Sequence, residues 1–167
     1  MTLALRVLIL SAAFLGCGAA TAQQAAIQFG SLKQDTSLPV SVEADQLSVD
    51  QGDGRAVFTG NVRVAQGEMV ITAAEATVEY AADGQAIKTL LFTGGVVLSN
   101  ATDAAEAQQA LYTIETGLVE MTGDVVLTQG KNAISGQKLV VDLTAGTGVM
   151  EGRVKTIFTP GTEKAAP

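Results

Sequence analysis

Side chains that commonly do chemistry are scarce in this chain. There is no histidine, which removes the commonest general base and metal ligand and, with them, any Ser-His-Asp arrangement. The single cysteine, Cys17, falls in an apolar leader. Carboxylates remain, and glycoside hydrolysis needs only two. Glu43 and Asp45 stand two apart, on one face of a strand, and Asp50 and Asp53 lie near a turn. Solvated strand edges and turns account for both pairs more simply, so a carboxylate-only hydrolase of envelope glycans is the weakest functional reading. Asp50-Gln51-Gly52-Asp53-Gly54 faintly suggests a calcium loop but lacks the alternating oxygen ligands and the closing glutamate. Asn100-Ala101-Thr102 has the form of a glycosylation acceptor, a pattern too short to carry an argument. The expectation is a protein without catalytic residues, metal or cofactor.

Composition narrows the partners. The 167 residues include Lys+Arg 10 against Asp+Glu 17, a net charge of -7. This acid excess leaves no basic footprint for phosphate, so no nucleic acid is expected. Hydrophobic residues make up 47% and charged ones 16%, against about 25% charged in ordinary soluble domains. Aromatics are only 4%, so burial must come from aliphatic side chains.

The elements that would position any site begin after a targeting segment. Arg6 precedes the apolar run from Val7 to Leu15, and Ala20-Thr21-Ala22 supplies small residues for a signal peptidase. The run is far shorter than the roughly 20 residues of a membrane span. Leu15-Gly16-Cys17 loosely resembles a lipoprotein box, with Phe14 where leucine is usual, and cleavage after Ala22 is the favoured reading. Cleavage there removes the only thiol, so no disulfide can follow. The expected organisation is a signal peptide over 1–22, a flexible segment over 23–38, one domain over 39–158 and a flexible tail over 159–167.

That domain is a repeat. Phe58-Thr59-Gly60-Asn61-Val62 returns as Phe92-Thr93-Gly94-Gly95-Val96, as Met121-Thr122-Gly123-Asp124-Val125 and, worn, as Met150-Glu151-Gly152-Arg153-Val154. Small residues at Ala44, Ala73, Ala107 and Gly136 recur in a second register. Together they define about four units of about 29 residues, with five extra residues placed at Ala81-Ala82-Asp83-Gly84-Gln85. Alternation within units, as at Phe58, Gly60, Val62 and Val64, is that of strands. A glycine recurring in mid-strand marks a bend or bulge at which the strand turns a corner. Ala101 to Ala110 has some helical composition, but its second half is read as strand because Ala107 keeps the repeat register. The fold expected is all-β.

Such a chain offers two functional features. Its apolar face either packs as core or leaves an elongated groove that suits a lipid chain. Its end strands, near Val40 to Val49 and Val149 to Phe158, are edges that invite pairing with another chain, head to tail.

The signal segment, Val42-Glu43-Ala44-Asp45-Gln46-Leu47 and the following Ala56-Val57-Phe58-Thr59-Gly60-Asn61-Val62 together resemble the OstA-like family of periplasmic lipopolysaccharide transport proteins. Ala44-Asp45-Gln46 and Gly60-Asn61-Val62 match its opening "ADQ" and "GNV" steps. The resemblance spans nearly the whole mature chain. It implies an open, twisted antiparallel β-jellyroll of many short strands, whose apolar interior receives lipid A acyl chains. It also implies head-to-tail self-association, and bridging from LptC to LptD through strand edges. Transport would proceed in the periplasm without catalysis by this chain. The short apolar run favours a soluble member over the anchored sibling. On strand parity and unit position, the residues expected to line the lipid are Phe58, Val62, Val64, Phe92, Val96, Leu98, Met121, Val125 and Leu127, with Leu111, Ile114, Leu139 and Val141 on neighbouring strands. The alternative function is a structural polymer or adhesin subunit that assembles through its edges around a sealed core.

Overall fold

Six long strands carry most of the structure, a computed structural model that describes residues 25–28 (backbone only), 33–50, 52, 54–81, 84 and 86–159. They are β4 (Arg55–Gln66), β5 (Met69–Tyr80), β6 (Ile87–Ser99), β7 (Asp103–Thr113), β8 (Leu118–Gln129) and β9 (Asn132–Asp142), joined by short turns into an antiparallel meander. Short strands finish each end. β2 (Ser41–Glu43) and β3 (Gln46–Asp50) both lie on the free side of β4. β10 (Thr147–Glu151) and β11 (Lys155–Ile157) share β9, and β1 (Ala25–Gln28) pairs with β10. No described residue is helical, and all strands belong to one open sheet. The two middle repeat units are hairpins of two long strands, β5 with β6 and β7 with β8. The outer two pair one long strand with two short ones, β4 with β2 and β3 and β9 with β10 and β11. Ala101 to Ala110 enters β7.

The repeated glycine turns the corners of β4, β6 and β8. The ladder slips between Thr59 and Val62, between Thr93 and Val96 and between Thr122 and Val125, and at matching points of β5 and β7. At the slips of β4, β6 and β8, and at the break between β10 and β11, two successive residues take positive φ: Gly60 and Asn61, Gly94 and Gly95, Gly123 and Asp124, Gly152 and Arg153. Glycine, asparagine and aspartate reach that region most cheaply, which explains the second residue in three of the four units. Gly123 is needed for space as well, because a Cβ there would lie 2.8 Å from the Cβ of Gln108. The corners divide the sheet into two half-sheets whose inner faces share one core.

The described residues of the segment expected to be flexible are joined to the sheet. β1 caps β10, the Gln34 amide donates to the Leu143 carbonyl at 2.8 Å, and Gln66 holds the carbonyls of Thr36 and Leu38. The expected signal peptide over 1–22, the tail from Pro160 onward and Ala82, Asp83 and Gln85 of the extended turn lie outside the described residues. What is described of that turn, Ala81, Gly84 and Ala86, sits between β5 and β6, where the repeat spacing puts the extra residues.

Candidate functional site

Inward-facing side chains of neighbouring strands line up into rows that cross the whole sheet. Phe58 pairs through Ala76 to Phe92, then through Ala110 to Met121 and Leu139. Beyond the corner, Val64, Ile71, Leu98, Ala105, Leu127 and Ile134 form a second row. Val62, Val96 and Val125 stand beside the corner between the two, each opposite a small residue of the next strand. Val141 belongs to a row with Leu90, Tyr112 and Val119. Most of these side chains are fully buried, Phe58 and Ile114 partly. Complete burial of one aliphatic or aromatic side chain stabilises the fold by about 1.5–3 kcal/mol, so the rows account for much of the fold's stability as well as for its apolar interior.

Leu111 is a correction. It faces outward, 38% exposed, and its neighbour Tyr112 occupies the interior at 0%. The slip between Glu106 and Gln109 resets the alternation of β7, so a parity counted from before the corner points the wrong way after it. Outward-facing Leu91 and Leu111 are register partners, which explains why alternation in β6 looks uneven in the sequence.

At the β3 edge the rows do not end inside the molecule. Leu47 pairs with Phe58 and Val49 with Ala56, extending two inward rows onto β3, where these side chains are 53% and 59% exposed. At the opposite end the first row continues from Leu139 to the fully buried Met150 of β10, the second passes from Ile134 to the polar Thr156 of β11, and the exposed Ile157 pairs with Ala133 on the outer face. The apolar interior therefore reaches the open edge of the sheet at β3.

The side opposite the corners, where the free ends of the half-sheets face each other, is closed differently. Gln66 follows Val62 and Val64 on the inward face of β4, yet it is polar and 1% exposed. The Tyr112 hydroxyl donates to Gln66 Oε1 at 2.7 Å, joining residues 46 apart. Gln66 Nε2 donates to the Thr36 carbonyl at 2.9 Å and the Leu38 carbonyl at 2.8 Å, and Gln34 Nε2 donates back to the Gln66 carbonyl. Residues 33–40 thus form a strap across this mouth. In the sequence Gln66 reads as turn punctuation before Gly67; continuing the parity of Phe58, Val62 and Val64 by one step puts it inside.

Burial pushes the Tyr112 phenol up to about 12, against a smaller lowering by the bond to Gln66. A raised pKa in the folded state gives stability that is full below the ordinary value near 10 and is lost as pH rises toward 12. The loss amounts to about 2–3 kcal/mol. Urea midpoints measured from pH 9 to 12 are expected to fall for the native protein, and the same series on Tyr112→Phe to lose that part of the slope. An identical slope in both would show that the phenol does not govern it.

The carboxylates do structural work. Asp45 accepts from Asn61 Nδ2 at 2.8 Å beside Gly60, and Glu43 lies opposite Arg63 in the ladder. Among the described residues no group of three or more His, Cys, Asp or Glu is placed to hold a metal. An open cleft of about 510 Å³ lies over the corners of β4 to β6, where Ala74, Gly94 and Gly95 stand in place of larger side chains.

Comparisons with known proteins agree with this architecture. A family model described as LptA/(LptD N-terminal domain) LPS transport protein matches residues 41–147. An uncharacterized protein of Rhizobium meliloti (strain 1021) is 28% identical over 163 residues, spanning 91% of this chain and 88% of its own length. The crystal structure of LptH, the LptA-homologous periplasmic component of the lipopolysaccharide transport device of Pseudomonas aeruginosa, superposes with a TM-score of 0.67. That match is at 20% identity, over 76% of this chain and 99% of that one, and it confirms the all-β fold.

Proposed function

The chain belongs to the lipopolysaccharide-transport family of LptA and the LptD N-terminal domain, and from that membership we propose that it carries lipopolysaccharide across the periplasm, with the acyl chains held between its half-sheets. The observation that supports this reading is the set of apolar rows that run the length of the sheet and emerge at its β3 edge. Acyl chains gain roughly 0.8 kcal/mol per buried CH₂, while the sugar and phosphate groups stay in water. The lining consists of Phe58, Val62, Val64, Phe92, Val96, Leu98, Ile114, Met121, Val125, Leu127, Leu139 and Val141; Leu111 is outside it.

Transport over a distance needs successive sites of similar affinity, and copies paired edge to edge provide them. β2 and β3 at one end and β1 and β11 at the other terminate the sheet without a further strand among the described residues. Such edges pair with other chains unless charge or proline blunts them. In this reading the chain associates head to tail with itself and uses the same edges to reach LptC and LptD, bridging the two membranes. Equilibrium binding of lipopolysaccharide to the purified protein tests the ligand, and absence of binding by folded protein would overturn the proposal. The double variant Leu47→Lys with Val49→Lys tests the edge. Both positions are exposed, so stability should move by no more than about 0.5 kcal/mol per site, while self-association by analytical ultracentrifugation weakens at least tenfold. Undiminished association would place the contact elsewhere.

A further inference from the structure

We propose that Gln66 and Tyr112 are specificity-determining residues: a polar latch that favours amphiphiles bearing hydrogen-bonding groups at the roots of their acyl chains over plain hydrocarbon chains. The proposal rests on the lipid-carrying reading above. Its basis is where the polar atoms lie. The interior rows are aliphatic and aromatic but for this pair, which is 1% and 0% exposed, and Asp103 at the start of β7, 8% exposed, which accepts from Gln129 Nε2. Every hydrogen-bonding group of the Gln66 side chain is engaged: its oxygen by the Tyr112 hydroxyl, its amide hydrogens by Thr36 and Leu38.

The position of the latch gives it a role in entry. On one side the half-sheets are joined by the continuous backbone of the long strands through their corners. On the other they meet through the bond between β4 and β7 and through the strap, itself tied down by the Gln34 amide and the Leu143 carbonyl. The interior is filled, with Phe92, Leu90 and Met121 at 0% exposure, so a chain that enters must part the half-sheets, and the mouth is the side that can part. Parting it leaves a hydroxyl, an amide and two strap carbonyls inside without partners. A plain alkyl chain offers them nothing. Chains joined through amides or esters, or carrying hydroxyls, offer replacement donors and acceptors. Each bond left unmade in a desolvated site weakens binding on the order of tenfold, and sites built around hydrogen bonds reject ligands that lack them more sharply than apolar pockets reject small differences in size.

The test compares two probes, lipopolysaccharide and palmitate, on the native chain and on the double variant Gln66→Leu with Tyr112→Phe. The expected result is a fall of at least tenfold in the preference for lipopolysaccharide, mostly through tighter palmitate binding. Hydrogen exchange at the Gln34 amide should also quicken when the native protein binds lipopolysaccharide. If both probes shift by the same factor, the pair has a packing role only and the proposal is wrong. It is equally wrong if the Gln34 amide stays as protected in the saturated complex as in the free protein. Tyr112→Phe alone keeps the ring and should move the ratio in the same direction by a smaller factor, so the test survives a double variant that fails to fold. A native protein that binds no lipopolysaccharide would sink the lipid-carrying reading itself, an outcome distinct from binding without discrimination.

Discussion

Phe92→Ala is expected to destabilise the protein by about 3–5 kcal/mol, near the upper end for a buried aromatic. The reason lies in its neighbours. Phe92 is fully buried, and its register partners on both sides are alanines, Ala76 and Ala110, whose small side chains make room for the ring. Neither can grow into the void, and relaxation of the surroundings is what softens such substitutions elsewhere. Urea denaturation followed by far-UV circular dichroism measures the loss. A cost below about 1.5 kcal/mol, typical of a site that collapses or was never well packed, would contradict the packing described.

Gly123→Ala is the second large effect, at about 2–5 kcal/mol. Its φ of 87 is costly for any L side chain, and the new Cβ would approach that of Gln108 to 2.8 Å. The conformational part is worth roughly 1–2 kcal/mol and the overlap roughly 1–3 kcal/mol. Gly130→Ala isolates the first of these, because Gly130 also has positive φ but a Cβ there meets nothing within 4 Å. Gly123→Ala should therefore cost clearly more than Gly130→Ala. Equal costs would mean that close approach at the corner is not what requires glycine.

The corner shows why much of the fold is legible in the sequence. A glycine that returns at fixed spacing inside an alternating pattern has few physical explanations, and the chain marks its corners on β4, β6 and β8 with the same pair of left-handed residues. The corners of β5 and β7 have no glycine. They fall at Ala73 and Ala74 and at Ala107 and Gln108, where these strands are one residue shorter across the corner than their glycine-bearing neighbours, and the shortening leaves no compositional trace. Parity after such a corner is invisible in the sequence, so counting by twos puts Leu111 inside and misses Tyr112.

Gln66 is hidden for a different reason. A glutamine before a glycine at the end of a strand is usually solvated, and what buries this one is a strap distant in sequence, held by Thr36 and Leu38. The strap's own sequence is polar and aperiodic, which makes 23–38 look flexible. Its order comes from the mouth it crosses rather than from local preference. The rows are readable residue by residue as apolar positions, but their continuation onto Leu47 and Val49 at an open edge depends on strand register, which only the assembled sheet supplies.

Whether acyl chains enter between the half-sheets is tested most directly by placing a photoreactive residue at Phe92, on the inner face, and in a second protein at Thr93, on the outer face of the same strand. Phe92 is wholly buried in the closed structure, so a lipid adduct there requires that the half-sheets part and admit the chain. Irradiation with lipopolysaccharide should give strong adducts at position 92 and few at 93. Folded proteins that give adducts at neither position, or equally at both, would contradict a lipid-carrying interior and leave an edge-assembled structural protein with a sealed core as the better account.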